Sequence, residues 1–386
     1  MFIAVTGGTG FLGAHTVRAL LRHGHRVRLL ARRPDRVAAA LAPLGVAPDA
    51  VGVVEGDVTD PAAAARLVSG VDGLLHAAGV YTFDPRRRAG LRVNEHGTEV
   101  VLAAARAAGV GRLVHVSTVG TLYPTTAPAV GPGSPLGRSR EPYLASKTAA
   151  ERIARRYGAA ITRPPALLGP HDPHLGDQNA RLRDLLRGLM PLWPTGGLPL
   201  GDVRDNAELH ARLFDGVPGT EFFGPGSFVT TREYVATVRA VTGRVLPAAF
   251  CPARALAFAG RAADALQRCW PGRLPVQGGA IHVCEVAVPV VAGAPDAGVP
   301  ARPLAETVAD TVRWLAETGA LGARRAGRLA HRAAPASAAG MPAPASPGSA
   351  AGAARHVPAA LSPVSSAPPV TPAGPAGSGA TGKALP

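Results

Sequence analysis

The fold of this 386-residue chain is decided by one stretch, Thr6-Gly7-Gly8-Thr9-Gly10-Phe11-Leu12-Gly13. The stretch follows a short apolar run and precedes a segment of helical length. Glycines allow a sharp turn and a close approach of the backbone to a pyrophosphate, and the following helix N-terminus offers unpaired N–H groups. Glycines alone are a weak signal, but between a strand and a helix they predict a dinucleotide site formed by residues 7–13.

Outward from this turn, short apolar runs alternate with segments of helical length up to about residue 165. The runs are almost continuously apolar, which is typical of strands that are buried on both faces of a sheet. The alternation predicts an α/β protein with a Rossmann-type, doubly wound parallel sheet. Strands are predicted at 2–6, 26–31, 51–55, 73–76, 112–117 and 160–163, and helices at 11–23, 35–41, 61–68, 91–108 and 142–157.

The second half of the chain is less regular, because proline and glycine interrupt it repeatedly. Helices are predicted there at 232–242 and 304–317, within a smaller irregular α/β lobe. The expected domains are a dinucleotide-binding domain at 1–165, a substrate-binding lobe at 166–322 that is partly interleaved with it, and a tail at 323–386. The tail has low complexity and no aromatic or acidic residue, so it is expected to be disordered.

Composition excludes several classes of protein. The net charge is +15, but the basic residues are dispersed and no basic helix carries interleaved aromatic residues, so no nucleic-acid partner is expected. No apolar run is long enough for a membrane span and no signal peptide is recognised, so no membrane partner is expected. The three cysteines are Cys251, Cys269 and Cys284, and their spacing indicates neither a disulfide framework nor a zinc site. A cytoplasmic location fits this cysteine usage.

No metal site is predicted elsewhere either. The segment His171-Asp172-Pro173-His174 holds two imidazoles and a carboxylate, but a proline-containing loop disfavours their convergence on one ion. This loop follows the predicted strand that ends near residue 163, where ligands lie in open α/β sheets. It is therefore expected to border the mouth of a substrate site, while Trp193 is either part of a pocket wall or ordinary core.

The end of the second strand bears on the choice of dinucleotide. An acidic residue there would bind the adenosine ribose, but the chain has Arg32 and Arg33 and no carboxylate before Asp35. Arginine suits a 2′-phosphate through paired, charge-assisted hydrogen bonds. NADP is therefore expected as the cofactor, with NAD as the alternative. After the third strand, Asp57 and Val58 are expected near the adenine.

Lysine usage marks a second chemical site. The chain has two lysines, and Lys383 lies in the predicted tail, so Lys147 is the lysine of the predicted folded part. Tyr143 precedes it by four residues on a predicted helix, which places both side chains on one face. An ammonium beside a phenol favours the phenolate and lowers the pKa of the tyrosine. The pair is therefore expected to transfer a proton.

These features together resemble the extended branch of the short-chain dehydrogenase/reductase superfamily, which includes dihydroflavonol-reductase-like proteins and the NAD-dependent epimerase/dehydratase family. The resemblance covers roughly residues 1–318. Beyond the glycine turn and the Tyr143 and Lys147 pair, it rests on His76-Ala77-Ala78-Gly79, Val93-Asn94-Glu95-His96-Gly97-Thr98, Val116-Ser117-Thr118-Val119-Gly120 and Arg163-Pro164-Pro165.

The resemblance implies roles for individual residues. Tyr143 would exchange a proton with the reacting oxygen, and Lys147 would lower its pKa and hold the nicotinamide ribose. Thr118 would hydrogen-bond the reacting oxygen, with Ser117 as the alternative, and Asn94 would support the site. The cofactor contacts implied beyond the glycine turn come from Arg32, Arg33, Asp57, Val58, His76, Ala77, Ala78, Tyr143, Lys147, Arg163 and Pro164.

The resemblance also implies an NADP-dependent oxidoreductase that reduces a carbonyl, or oxidises the alcohol, of a small organic substrate. A sugar-nucleotide epimerase is the first alternative, and a dinucleotide-binding sensor without activity is the second. Dehydration is disfavoured, because Val119 and Gly120 stand where dehydratases carry an acid and a base. A homodimer through the helices predicted at 91–108 and 142–157 is also implied.

Overall fold

A computed structural model describes residues 1–271 and 277–330 of the chain. Its main sheet has seven parallel strands in the order β10, β6, β5, β4, β1, β2, β3. These strands are β1 (Phe2–Thr6), β2 (Arg26–Ala31), β3 (Val51–Glu55), β4 (Gly73–His76), β5 (Arg112–Val116), β6 (Ala160–Arg163) and β10 (Glu221–Phe223). The remaining strands of the described chain are β7 (Ala166–Leu168), β8 (Leu192–Pro194), β9 (Gly197–Asp202), β11 (Ser227–Thr230) and β12 (Ala249–Cys251).

Helices cover both faces of the main sheet and build the second half of the molecule. The described helices are α1 (Phe11–Arg22), α2 (Asp35–Leu41), α3 (Pro61–Val68), α4 (Arg92–Ala107), α5 (Pro142–Arg156), α6 (Asp177–Leu186), α7 (Val203–Phe214), α8 (Thr231–Thr242), α9 (Ala253–Gln267), α10 (Gly278–Val286), α11 (Leu304–Glu317) and α12 (Ala323–Ala326). In the described part of the chain, none of them is long and apolar enough to cross a bilayer.

Strand β1 shows why these sequences form a doubly covered sheet. Ile3 and Val5 point into one apolar core with residues of α1 and α7, while Ala4 points into a second core with residues of α3 and α4. Side chains alternate across a strand, so a strand that is apolar at every position must be covered on both faces. This confirms the predicted fold class and its Rossmann-type sheet.

The second half of the chain does not fold as a separate layer. Strand β10 pairs with β6 and completes the main sheet, so part of segment 166–322 lies in that sheet. Two small sheets, β11-β9-β7 and β12-β8, lie with α6, α8 and α11 around a third core. The sequence predicted α8 and α11 but gave no separate signal for α6, α9 and α10.

The predicted start of the tail at residue 323 is wrong. Helix α12 follows directly, and Ala326 is completely buried in the third core. The Arg328 guanidinium also donates to the carbonyl of Val241 at 2.8 Å, near the end of α8. The ordered chain therefore continues to residue 330 at least, and the disorder predicted for the rest of the tail lies outside the described residues.

Candidate active site

The glycine turn follows β1, which lies inside the main sheet and pairs with β4 on one side and β2 on the other. Gly7 has φ +75, and a Cβ atom there would lie 2.6 Å from the backbone nitrogen of Ala78. A Cβ on Gly13 would lie 2.0 Å from the Gly7 carbonyl oxygen. The turn therefore needs glycine at both positions, because any side chain would push α1 away from the strand ends.

The residues of this turn fit a dinucleotide phosphate. Gly10 caps helix α1 without a side-chain hydrogen bond, and the first turn of α1 carries no acidic residue. Its first backbone N–H groups are therefore left for an anion, which the helix dipole also favours. Gly8 and Thr9 lie within the turn, and Phe11 and Leu12 begin the helix, so residues 7–13 form one continuous cradle.

The residues predicted at the adenosine end lie on the neighbouring strand ends. Arg32 has a side chain that is 76% exposed, and its Nε lies 3.8 Å from Asp57 Oδ2. Asp57 Oδ1 accepts hydrogen bonds from the backbone and the hydroxyl of Thr59, which shape the turn after β3. Val58 packs directly against Gly97, since a Cβ atom on Gly97 would lie 2.8 Å from Val58 Cγ2. The Arg33 guanidinium is instead engaged by Asp35, because its Nη2 donates to Asp35 Oδ2 at 3.0 Å.

The predicted pair on α5 is buried. The Tyr143 ring packs edge-on against Tyr81, with ring centroids 4.8 Å apart, and against Phe83 at 5.8 Å. Lys147 Nζ donates to the Val116 carbonyl oxygen at 2.7 Å, and burial lowers the pKa of Lys147 to about 8. Both side chains therefore lie at the carboxyl end of β5, within the core that α5 covers.

The structure does not show the predicted lowering of the tyrosine pKa. Burial raises the pKa of Tyr143 well above its ordinary value, and a hydrogen bond with Thr118 opposes this rise. Removing a phenol from water disfavours its charged form, and here the Lys147 ammonium is turned toward Val116 instead. The phenol is consequently protonated at neutral pH.

The two candidate hydroxyls have different surroundings. Ser117 Oγ donates to Glu151 Oε2 at 2.6 Å in the interior. Thr118 lies beside Tyr143, accepts from Gly120 N at 3.3 Å and donates weakly to the Pro164 carbonyl at 3.4 Å. Ser117 is therefore engaged by a buried carboxylate, whereas the Thr118 hydroxyl faces the phenol.

Asn94 connects three parts of the site. Its Oδ1 accepts from the Val80 backbone N–H at 2.6 Å, and its Nδ2 donates to the Val80 carbonyl and to Ser146 Oγ. Its side chain thereby fixes the segment after β4 against helices α4 and α5. Because Asn94 is buried and fully bonded in this way, its contribution is to position its neighbours.

Two of the residues predicted to contact the cofactor, His76 and Arg163, have buried side chains with partners in the interior. His76 is buried, and its nitrogens lie at hydrogen-bond distance from Thr6 Oγ1 and Thr98 Oγ1. Arg163 is completely buried and bonds Glu151 at 2.6 Å and Glu221 at 3.2 Å. Both side chains point into the interior, because they satisfy buried polar partners there. The neighbouring backbones of Ala77 and Ala78 lie against Gly7 of the glycine turn, and Ala78 N donates to Thr6 Oγ1, while Pro164 is buried beside Gly224.

Sequence reasoning missed the aromatic residues that enclose Tyr143. Tyr81 and Phe83 follow β4 and pack against both each other and Tyr143. Their signal is an alternating aromatic pair directly after the HAAG segment at 76–79. Reasoning from the sequence also missed Glu151, which stands four residues after Lys147 on the same helix and accepts the hydrogen bonds of Ser117 and Thr121.

The His171 to His174 loop is organised around its carboxylate. Asp172 accepts hydrogen bonds from the backbones of His174 and Gly176 and from Asn179 Nδ2. Both carboxylate oxygens of Asp172 are therefore occupied by hydrogen bonds from the loop and from Asn179 on α6. Among the described residues, no three His, Cys, Asp or Glu side chains are arranged to hold a metal ion.

Comparison with known proteins agrees with this geometry. Residues 3–217 match the model of the NAD dependent epimerase/dehydratase family. A 2-alkyl-3-oxoalkanoate reductase of Stenotrophomonas maltophilia is 33% identical over 70% of this chain and 84% of its own length. Sterol demethylase protein B of Methylococcus capsulatus is 30% identical over 71% of this chain and 85% of its own.

A solved structure supports the same placement. The dTDP-glucose 4,6-dehydratase DesIV of Streptomyces venezuelae, a double mutant with NAD bound, is 26% identical and superposes with a TM-score of 0.63. The match covers 83% of this chain and 98% of that one. With the glycine cradle, the parallel sheet and the family model in agreement, this chain belongs to the NAD-dependent epimerase/dehydratase family.

Proposed function

We propose that the protein is an NADP-linked carbonyl reductase that also oxidises the corresponding alcohol. The observation that carries the proposal is the grouping of Tyr143, Thr118 and Lys147 at the end of β5. A phenol, a hydroxyl and an ammonium in one buried place are what a proton transfer to a carbonyl oxygen requires. The named reductase among the relatives supports the same class of reaction.

Each residue of the proposed site has one task. Tyr143 donates its proton to the carbonyl oxygen, and the Thr118 hydroxyl donates a hydrogen bond to that same oxygen. Burial keeps the Tyr143 phenol protonated, which suits the direction in which the carbonyl is reduced. Lys147 is held at the Val116 carbonyl, close to Gly79, where it would bind the ribose of the cofactor. The nicotinamide, when bound, supplies the hydride.

The preference for NADP is supported by the end of β2. The Arg32 side chain is free to turn toward a 2′-phosphate, because its contact with Asp57 is long and exposed. Arg33 would have to leave Asp35 to take part. Exposed ion pairs of this kind contribute little stability, so a phosphate displaces them readily. The residues of the glycine turn would hold the pyrophosphate in either cofactor.

The test is cofactor oxidation with a panel of carbonyl compounds, including long-chain ketones and oxo acids. We expect turnover with NADPH that exceeds turnover with NADH by tenfold or more, on the order of one charge-assisted hydrogen bond. Tyr143→Phe is expected to lower turnover by about 10²- to 10⁴-fold while NADPH affinity changes little. The control is Tyr157→Phe, since Tyr157 bonds Glu99 at a distance from the site.

Three results would count against the proposal. Unchanged turnover in Tyr143→Phe would remove the assigned proton donor. Inversion of a sugar nucleotide without net NADPH oxidation would identify an epimerase. Tight NADPH binding with no turnover on any carbonyl compound would identify a sensor.

A further inference from the structure

A cavity of about 110 Å³ lies in the second half of the molecule, and its wall is mainly apolar. Strands β8 and β9 form one side, and helices α9 and α10 form the other. Its described lining includes Leu192, Trp193, Leu198, Leu256 and Ile281. The sequence left open whether Trp193 is part of a pocket wall or of the core. Trp193 is buried and also lines this cavity. Such a wall suits a hydrocarbon chain and disfavours a sugar nucleotide.

A line of contacts joins the cavity to the proposed proton donor. Tyr81 packs on the Tyr143 ring, and its hydroxyl is hydrogen-bonded by the Gln178 side chain, which lines the cavity. Ala280 lines the cavity and also packs against the cluster that contains Tyr143 and Phe83. The cavity and the cluster around Tyr143 are therefore neighbours, with Tyr81, Gln178 and Ala280 between them.

Arg181 on α6 is the one charged residue in the described wall of this cavity. Its Nη1 donates to Gln178 Oε1 at 3.3 Å, and it forms no ion pair within 4.0 Å of any acidic group in residues 1–271 and 277–330. Burial raises the pKa values of Tyr234 and Cys284, two further wall residues, and the charge of Arg181 opposes that rise in both. The charge of Arg181 thus acts on wall residues of two other helices, α8 and α10.

Among the described residues, the half-buried Arg181 guanidinium makes one long hydrogen bond, to Gln178, and no ion pair. Arginine presents five N–H donors in a planar fork, of which one long bond to Gln178 uses a single donor. A carboxylate matches that fork with two parallel hydrogen bonds and neutralises the charge. At Tyr81 the charges of Asp177, one turn earlier on α6, and of Arg181 shift the pKa in opposite directions.

We propose that Arg181 binds a carboxylate of the substrate while the cavity takes its hydrocarbon part, so that the substrate is an oxo acid with a long aliphatic chain. The proposal rests on the reductase function for the position of the carbonyl. The assignment of Arg181 and of the cavity can be tested by binding alone, without turnover.

The experiment is titration calorimetry of the full chain with decanoate and with decanamide, which has the same chain but no charge. Arg181→Met is expected to weaken decanoate binding by about 10- to 100-fold, since a hydrogen-bonded charge pair is lost. The same substitution should leave decanamide affinity within about threefold, because methionine keeps the apolar wall. Arg181→Lys should recover part of the decanoate affinity, and Arg36→Met, at an exposed arginine of α2, should change neither.

The outcomes separate this proposal from the reductase function. Equal loss of decanoate and decanamide binding in Arg181→Met would mean a structural role and overturn the carboxylate contact. Absence of decanoate binding to the unaltered protein would overturn the cavity assignment. Selective loss of decanoate binding together with no NADPH turnover on a series of long-chain oxo acids with the carbonyl at different positions would support Arg181 and reject the reductase function alone.

Discussion

Tyr143 and Lys147 are both buried, and burial acts on their pKa values in opposite directions. It raises the pKa of the Tyr143 phenol and lowers the pKa of the Lys147 ammonium to about 8. In each case desolvation disfavours the charged form. At neutral pH the Tyr143 phenol is therefore uncharged, while the Lys147 ammonium keeps its charge against a desolvation cost.

This cost makes the stability of the protein depend on pH. The pKa of Lys147 is about 8 when folded and 10.5 for an ordinary lysine, so between these values the unfolded chain binds more protons. Folding stability must then rise with pH across this window. Relative to Lys147→Met, the free energy of unfolding should increase by about 2–3 kcal/mol from pH 7.5 to pH 10.5.

Urea unfolding of the two proteins in parallel measures this difference, and other titrating groups cancel between them. A difference that stays constant with pH would show that the Lys147 ammonium is not desolvated. Lys147→Met should also abolish turnover. Turnover measures what Lys147 contributes to the reaction, and urea unfolding measures what its burial costs the fold.

At the scale of elements, the contact between β1 and α1 depends on glycine. Gly13→Ala should weaken NADPH binding by at least tenfold, because its methyl group would meet the Gly7 carbonyl oxygen and displace the helix from the phosphates. Fluorescence titration with NADPH measures the change. Gly52→Ala is the control, since its nearest atom would lie 3.8 Å away in ordinary contact. Equal affinities in both variants would contradict the phosphate assignment.

A buried ion-pair network joins α5, β6 and β10. Arg163 and Glu151 are both completely buried and lie 2.6 Å apart, and Arg163 also reaches Glu221 on β10. Burial raises the pKa of Glu151, but the Arg163 charge and the hydrogen bonds from Ser117 and Thr121 hold it below its ordinary value. The network fixes the last strand of the sheet against the helix that carries Tyr143 and Lys147.

Breaking this network should be costly. Arg163→Met is expected to lower the free energy of unfolding by about 3–5 kcal/mol, because it leaves the Glu151 charge buried without its main partner. Arg156→Met, which removes an exposed pair with Glu99, should cost less than about 1 kcal/mol. Urea unfolding measures both. Similar losses in the two variants would mean that water reaches Glu151.

At the scale of the whole molecule, segments that are distant in sequence pack into the same sheet and the same core. Strand β10 brings the second half of the chain into the first sheet, and α12 returns to the core formed by α8 and α11. The described residues up to 330 therefore belong to one compact unit, although the sequence suggests separate segments.

A comparison of two shortened chains tests this packing. A chain that ends after Gly322 should be less stable by about 1–3 kcal/mol than one that ends after Pro335, since it loses the buried Ala326 and the Arg328 contacts. Thermal unfolding of both measures the difference, and loss of NADPH turnover is expected only to the extent that the shorter chain unfolds. Equal midpoints would show that α12 adds nothing to the core.

The sequence by itself determined the local features of this protein. The rhythm of apolar runs and helical segments up to residue 165 predicted each strand and helix of the first half to within about two residues at its ends. The glycine turn and the Tyr143 and Lys147 spacing could be located as well, because a sharp turn and one helix face are set by residues close together in the chain.

Only the tertiary structure decided which groups meet. It brought Glu221 to Arg163, turned Lys147 toward Val116, engaged Ser117 with Glu151 and left Thr118 beside Tyr143. It also placed Arg181 in the wall of an apolar cavity. These partners come from separate elements, and burial, which sets their pKa values, exists only after the chain has packed. Short-range pattern therefore determines the elements, and long-range packing determines the chemistry of the site.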